Sequence, residues 1–194
     1  MSKPSSENKS IAKKIISIIG GSPTVTQFWD ENEDNHIDLL SLENSQTHNA
    51  TTFCSLGLSD SPLYFRGKEY SVRVELMGCC RSKDELFANI ISTAAFYIMK
   101  DHWFCAPGVI YPDIVTMYYP ETSMKHLFFM SPFFWNEALP DVMEFSTKKV
   151  AFLLGVPISE QERNYAVQNS PRELEDLFEK EQINILDLDR DSVL

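Results

Sequence analysis

Histidine and cysteine, the side chains that most often hold metal ions or act as nucleophiles, are few and scattered in this sequence. They are His36, His48, His102, His126, Cys54, Cys79, Cys80 and Cys105. A structural zinc site needs such ligands in closely spaced pairs, and a zinc protease needs two histidines one helical turn apart with a glutamate beside the first. Neither pattern occurs, so we expect no bound metal and no cofactor.

One pairing of nucleophile and base is present, Cys105 with His102 or His126, but nothing in its spacing distinguishes it from chance. Cys79 and Cys80 are adjacent at the end of a strand pattern, where successive side chains point to opposite faces. This predicts buried thiols rather than a redox pair. We therefore expect no catalytic residues and a protein that is not an enzyme.

Three aromatic residues in succession, Phe133, Phe134 and Trp135, follow a predicted strand. Alternation along a strand cannot bury three successive rings on one face, so at least one ring should be partly exposed. Two interpretations remain open: a loop that caps the core, or an aromatic anchor in a protein interface, where Trp, Tyr and Phe concentrate binding energy.

Charge is strongly biased, with 17 Lys and Arg against 28 Asp and Glu and a net charge of −11. Such a protein repels the phosphate backbone, which argues against nucleic-acid binding and favours basic partners. One acidic run contains Asp30, Glu31, Glu33 and Asp34 without a nearby Lys or Arg. It is either a solvated turn or a docking surface for a cationic partner.

The first 21 residues lack the uninterrupted apolar run of a signal peptide, because Lys13 and Lys14 divide it. No stretch approaches the roughly 18 apolar residues of a membrane span. The four cysteines show neither paired spacing nor the density of a secreted scaffold. We therefore expect a cytoplasmic protein that does not bind membranes.

Hydrophobic periodicity predicts helices at both ends of the chain and strands between them. The predicted strands are one through Ile37 and Leu39, Thr51–Leu58, a half-buried strand Tyr70–Leu76, Val109–Tyr119, Lys125–Ser131 and Lys148–Pro157. The predicted helices are residues 8–19, a helix from a Ser82 and Glu85 capping box to Lys100, one from a Ser159 and Glu162 capping box, and one starting at Ser170 and Pro171.

This order of elements predicts an α+β (or α/β) fold, with a central mixed sheet flanked by helices. The length and the absence of a linker predict a single domain over residues 1–194, with residues 1–7 as a flexible tail. Nothing in the sequence indicates the oligomeric state.

The order and spacing of short segments resemble the suppressor-of-fused (SUFU) domain over roughly residues 20 to 192. The matching segments are Cys54–Asp60, Arg73–Leu76, Ala94–Phe96, Phe104–Cys105, Lys125–Leu127, Val150–Val156, Leu174–Phe178 and Ile185–Leu188. Each segment is weakly specific, but the whole series in order is hard to obtain by chance. The short length and the start Gly20–Asp30 look most like the stand-alone bacterial members of that family.

The resemblance implies a binding protein with no catalytic residues to carry over. For the bacterial subgroup it implies an antitoxin that neutralises by stoichiometric occlusion the nuclease (DNase) domain of a secreted polymorphic (LXG-type) toxin. We nominate Phe133, Phe134 and Trp135 as the anchor and Asp30, Glu31, Glu33 and Asp34 as an acidic rim. The alternative is a regulatory adaptor that sequesters a host protein or peptide, as the eukaryotic members do with a second domain.

Overall fold

A mixed β-sheet with helices on both faces forms the centre of the computed structural model, which describes residues 4–44, 50–82, 84–135 and 138–194. Within these ranges its strands are β1 (Ser22–Trp29), β2 (His36–Asn44), β3 (Ala50–Leu56), β6 (Val72–Arg81), β7 (Ile110–Tyr111), β8 (His126–Met130), β9 (Val142–Glu144) and β10 (Lys149–Ile158). A separate hairpin joins β4 (Tyr64–Phe65) to β5 (Lys68–Glu69).

The strands follow the order β1-β2-β3-β6-β10-β8-β7, and β9 pairs with the beginning of β10. The β6–β10 pair is parallel and the other pairs are antiparallel. This combination confirms the predicted mixed sheet. The β1 and β7 strands form its two edges, so the acidic turn after β1 and the aromatic run after β8 belong to opposite halves of the sheet.

Four helices lie in the described ranges: α1 (Ser6–Ile19), α2 (Phe87–Met99), α3 (Glu160–Gln168) and α4 (Pro171–Glu181). One core packs the sheet against α2, and the other packs the opposite face against α1 and α4. A Cβ placed on Gly78 of β6 would lie 2.6 Å from Cδ1 of Ile91 and 2.7 Å from Cε1 of Phe87. The close approach of α2 to the sheet therefore depends on a missing side chain.

Most helix predictions are confirmed. The helix predicted to run to Lys100 ends at Met99, and its apolar residues Phe87, Ile90, Ile91, Ala94 and Ile98 lie in the core. Ser159 forms the capping box with Glu162, and Ser170 accepts the backbone N–H of Glu173 ahead of Pro171. At the other end, residues 1–3 lie outside the described residues and α1 begins at Ser6, after the cap Ser5. Every helix in the described ranges is too short or too polar to cross a lipid bilayer.

The prediction of a half-buried strand at Tyr70–Leu76 is wrong in start and burial. The strand begins at Val72, and every residue from Val74 to Cys80 is buried. It lies in the middle of the sheet with helices on both faces, so its polar positions, including Glu75, face protein rather than water. Alternation of residue type does not reveal a second covered face.

The predicted start of the second helix is also wrong. The helix begins at Phe87 after Leu86, and no side chain caps it. Ser82 instead accepts the hydroxyl hydrogen of Thr51 at 3.2 Å. The intervening Lys83 lies outside the described residues. The capping-box pattern depends only on residue types. In the structure the hydroxyl of Ser82 instead accepts a hydrogen bond from Thr51 on β3.

Two strand predictions need correction. Val109–Tyr119 contains only the two-residue β7, and the chain turns after Pro112. The edge strand β1 was not predicted, because the Gly20–Gly21 helix stop is followed by an exposed segment with Pro23. A strand with little buried surface carries little periodic signal, so its hydrogen-bonded register with β2 was not visible in the sequence.

Candidate protein-binding site

The aromatic run Phe133–Trp135 forms a short 3-10 helix directly after β8. Phe133 is 40% exposed and Phe134 is 52% exposed, whereas Trp135 is half-buried and packs against the core next to α1 and α4. The rings of Phe133 and Phe134 contact each other, with centroids 4.3 Å apart. Two of the three predicted anchor residues therefore present rings to solvent, and the ring of Trp135 contacts that of Phe134 at a centroid distance of 5.8 Å.

A groove of about 550 Å³ separates these rings from α4, and we call it the α4 groove. It is lined by Met130, Phe133, Phe134, Glu175, Asp176, Phe178, Glu179, Gln182, Ile183 and Ile185. The buried side chains of Met130, Phe178 and Ile185 form an apolar floor. An apolar floor beside exposed rings can bury an apolar side chain of a partner, and such buried contacts supply most of the binding energy of an interface.

Acidic side chains line the helical wall of the α4 groove. Glu175 and Glu179 are one helical turn apart, and Asp176 lies beside them. Partial burial raises the pKa of Glu175, and the charge of Asp176 raises it further. Like charges at this spacing repel each other, typically by roughly 0.2–0.5 kcal/mol. A cation bound at this wall would remove that repulsion.

The groove also lies at the negative end of α4. The helix ends at Glu181, and its C-cap Gln182 lines the groove in a left-handed conformation with φ of 48°. The aligned peptide dipoles of a helix place roughly half a negative charge at its carboxyl end. Helix dipole and acidic side chains therefore both favour a positively charged ligand.

The second nominated set forms the turn between β1 and β2. Asp30 is buried: Oδ1 accepts the backbone N–H groups of Asp34 at 2.9 Å and Asn35 at 3.3 Å, and Oδ2 accepts the side-chain amide of Asn35 at 2.9 Å. Oδ2 also lies 3.0 Å from Nζ of Lys100. The Asn35 bond and these further contacts hold the pKa of Asp30 well below its usual range. Asp30 organises the turn, and the exposed acids there are Glu31, Glu33 and Asp34.

The structure does not bring this turn together with the aromatic run. Five inter-strand steps separate β1 from β8, which corresponds to roughly 24 Å across the sheet. The acids beside Phe133 and Phe134 are instead Glu175, Asp176 and Glu179. The sequence shows that the last forty residues are acidic, but packing of α4 onto the β8 side of the sheet selects which acids meet the rings.

Cys105 and His126, the pairing considered from the sequence, are both buried and have other partners. Burial raises the pKa of the Cys105 thiol well above its usual range, which disfavours the nucleophilic thiolate. Nδ1 of His126 accepts the backbone N–H of Asp113 at 2.9 Å, so Nε2 carries the hydrogen and donates it to Glu160 at 2.8 Å. The imidazole connects β8 to α3.

The other cysteines are free and buried, as predicted for Cys79 and Cys80. Burial raises the pKa of Cys79 to about 12 and raises that of Cys80 as well. Across the described ranges, no cluster of three or more His, Cys, Asp or Glu side chains is arranged to hold a metal ion.

A buried carboxylate that the sequence analysis missed, Glu75, lies at the centre of the sheet. It accepts the hydroxyl groups of Ser55 and Ser59 and the backbone N–H groups of Gly57 at 3.0 Å and Ser59 at 3.1 Å. Desolvation raises its pKa in spite of these bonds. Nζ of Lys148 donates to Ser59 and Asp60 at the outer side of this network. Glu75 thus holds the loop after β3 against β6.

Comparisons with known proteins agree with this architecture. The chain is 40% identical over 188 residues to immunity protein YqcF of Bacillus subtilis (strain 168), with 97% of each chain covered. A putative SUFU homolog from Neisseria gonorrhoeae matches with a TM-score of 0.70 at 17% identity, covering 96% of each chain. Drosophila Suppressor of Fused matches with a TM-score of 0.66 at 13% identity, and the match spans all of this chain but 52% of that protein.

These structural matches show a shared fold at low sequence identity. The family model described as "Suppressor of fused protein (SUFU)" matches residues 33–191, which includes β2 through α4 and therefore both walls of the α4 groove. The chain belongs to the suppressor of fused family.

Proposed function

We propose that this protein is an immunity protein that binds a cognate toxin and inactivates it by stoichiometric occlusion. The α4 groove is the observation that carries the proposal, because it combines exposed apolar rings with acidic side chains at the negative end of a helix. The 40% identical relative named immunity protein YqcF supports the same role.

The proposed target is the nuclease domain of a secreted polymorphic toxin of the LXG type, met in the cytoplasm. A nuclease must attract DNA phosphates, so its substrate groove is basic. The net charge of −11 is opposite in sign to such a surface, so electrostatic attraction raises the association rate by roughly 10–1,000-fold at low salt.

Charge alone does not give a long-lived complex, because slow dissociation depends on a desolvated centre. Phe133 and Phe134 supply that centre, and Glu175, Asp176 and Glu179 supply the surrounding charge. The two rings contact each other, and the ring of Phe134 also contacts Trp135, so little side-chain freedom is lost when a partner covers them.

The test is co-expression with the toxin encoded beside its gene, with cell survival and chromosomal DNA integrity as readouts. The native chain should protect, and Phe133→Ala combined with Phe134→Ala should abolish or strongly reduce protection. The matched control is Val167→Ala, which removes an exposed apolar side chain from α3. Equal protection by all three proteins contradicts the assigned groove, and no protection by the native chain contradicts the immunity role.

A strain that lacks the toxin gene distinguishes the competing regulatory function. An adaptor would retain a stoichiometric host protein when purified from cells that lack the toxin gene, and an immunity protein should not. Recovery of such a host partner through Phe133 and Phe134 would overturn the proposal.

A further inference from the structure

A second exposed aromatic surface lies on the α2 side of the sheet, away from the α4 groove. It is formed by rings from the β4–β5 hairpin, from α2 and from the loop after α2, and we call it the Trp103 surface. Its members are Phe65, Tyr70, Tyr97, Trp103 and Phe104. Phe65 is 42% exposed, Tyr70 46% and Trp103 38%.

Ring contacts join these residues into two groups, which meet at the consecutive residues Trp103 and Phe104. Phe104 contacts Phe65 at a centroid distance of 4.6 Å and Tyr70 at 5.7 Å. Trp103 stacks on Tyr97 at 4.5 Å, and Tyr97 donates its hydroxyl hydrogen to Sδ of Met117, itself an exposed side chain. Soluble monomers seldom expose contiguous apolar patches without a binding role.

The backbone fixes Trp103 in its exposed position. His102 has a positive φ of 55°, and the turn it makes allows the backbone N–H of Trp103 to donate to the carbonyl of Tyr97 at 3.0 Å. A non-glycine residue in the left-handed region costs conformational energy, so the surrounding contacts must hold it there. The indole itself is held by stacking on Tyr97 and by an edge contact with Tyr111 at a centroid distance of 5.0 Å.

Two carboxylates and a lysine lie near this indole. The Trp103 surface lies at the carboxyl end of α2, whose C-cap Lys100 is exposed and pairs with the buried Asp30. Asp101 is exposed two residues before Trp103, and the Asp30–Lys100 ion pair holds the turn that carries Glu31 against this end of α2. After burial and the nearby Tyr118, the charges of Asp101 and Glu31 raise the pKa of Tyr97.

This chemistry selects a cation with a flat face. Guanidinium groups stack on aromatic rings and pair with carboxylates, whereas ammonium groups do so less well. Arg66 already places Cζ 5.1 Å from the ring centroid of Phe65 within the same patch. A second copy of this chain is disfavoured, because it would bring like-charged acidic surfaces together at a net charge of −11 per chain.

We propose that the Trp103 surface binds an arginine-containing segment of a partner protein, with the guanidinium on Trp103 and paired with Asp101 and Glu31. This interaction does not depend on the immunity function or on the α4 groove. In this proposal the acidic turn nominated from the sequence acts together with Trp103, and not with the aromatic run Phe133–Trp135.

The experiment is an NMR titration of the full chain with an acetylated, amidated tetra-arginine peptide at low salt. The chain has three indole N–H signals: Trp103 reports the proposed surface, Trp135 reports the aromatic run beside the α4 groove, and Trp29 reports the end of β1 beside the acidic turn. We expect the Trp103 signal to shift saturably, and Trp103→Ala to weaken binding measured on neighbouring amides roughly fivefold. A tetra-lysine peptide should bind more weakly at this surface.

Two variants guard against misfolding and nonspecific charge effects. Asp101→Asn keeps every ring and should also weaken binding, whereas Val167→Ala removes an exposed apolar side chain from α3 and should leave it unchanged. Shifts confined to the α4 groove, or equal affinity of the Trp103→Ala variant, would overturn the proposal. So would sedimentation that shows a dimer dissociated by Trp103→Ala, because the surface would then be a self-interface.

Discussion

Nζ of Lys100, at the carboxyl end of α2, lies 3.0 Å from Oδ2 of the buried Asp30 in the β1–β2 turn. This ion pair joins two segments that are 70 residues apart in sequence and places Glu31 beside the Trp103 surface. It also explains why the four nominated acids are not equivalent: one builds the turn, and the others face solvent.

Removal of the Asp30 carboxylate should unfold this turn locally. Asp30→Ala leaves the backbone N–H groups of Asp34 and Asn35 without their acceptor and leaves Lys100 unpaired. We expect a lower midpoint of thermal unfolding and faster amide exchange at residues 31–35. Glu31→Ala, which removes an adjacent exposed carboxylate, should change neither measurement, and equal effects of the two variants would contradict the assigned role.

The same residue predicts a pH dependence. The pKa of Asp30 is lowered in the folded protein, first by its Asn35 bond and also by Lys100. Its contribution to stability is therefore present above the ordinary aspartate range and is lost as the pH falls through the folded pKa. The difference in melting temperature between the native chain and Asp30→Asn should shrink on acidification below about pH 4. A difference that grows would contradict this.

Glu75 should show the opposite sign. Desolvation raises its folded pKa, so its contribution to stability is complete below the ordinary glutamate range and is lost as the pH rises through the folded value. The free energy of unfolding of the native chain relative to Glu75→Gln, measured by urea denaturation, should therefore fall as the pH rises from about 4. A constant difference would show that Glu75 titrates normally.

Loss of the Glu75 side chain should be costly. Glu75→Ala leaves the backbone N–H groups of Gly57 and Ser59 and two buried hydroxyl groups without their acceptor, and we expect a loss of about 3 kcal/mol or more in the free energy of unfolding. The matched control is Glu144→Ala, which breaks an exposed ion pair with Lys149 and should cost less than about 1 kcal/mol. Similar costs would contradict a structural role for Glu75.

The packing of α2 predicts a coupled pair of substitutions. Gly78→Ala places a methyl group against Ile91 and Phe87 and should destabilise the protein by roughly 1–3 kcal/mol. Ile91→Val removes the nearest methyl group, so Gly78→Ala should cost less in the Ile91→Val background. Additive costs in a denaturant-based double-mutant cycle would show that α2 does not approach β6 this closely.

Local signals in the sequence predicted the elements that local chemistry determines. Ser159 and Ser170 cap helices because their hydroxyls satisfy backbone N–H groups within three residues. The edge strand β1 was not predicted, because its pairing with β2 leaves no periodic pattern in its residues. The turn after Pro112 was not predicted either, because its apolar residues are buried by tertiary packing and resemble those of a strand. The structural role of Glu75 was not predicted, because its hydrogen-bond donors come from the end of β3 and the following loop, which only the pairing of β3 with β6 brings near it.

The candidate binding site divides in the same way. The sequence predicts that at least one ring of the aromatic run is exposed, because three successive aromatic residues exceed what one face of a strand can bury, but it does not single out Phe133 and Phe134. Their acidic neighbours on α4 were not predictable, because Glu175 follows Phe134 by 41 residues and only the packing of α4 brings the two together. The signal available in the sequence was helical spacing: Glu175 lies three residues before Phe178 and four before Glu179, which places these side chains on neighbouring positions of one helix surface.

The two halves of the α4 groove should affect binding kinetics differently. Glu175→Lys with Glu179→Lys should lower the association rate roughly tenfold at low salt, because steering is lost. Glu43→Lys with Glu144→Lys changes the net charge equally at exposed positions elsewhere and should do less. Phe134→Ala should cost about 2 kcal/mol, a roughly 30-fold faster dissociation. Surface plasmon resonance with the toxin domain separates these rates.

Stoichiometric occlusion is tested most directly by titrating a fixed amount of the purified toxin domain with this protein and measuring plasmid cleavage. Stoichiometric occlusion predicts a linear loss of nuclease activity that ends at one chain per toxin domain, and full activity when the double alanine variant of Phe133 and Phe134 replaces the native chain. Full cleavage with the native chain in excess, or complete inactivation far below equimolar amounts, would contradict it.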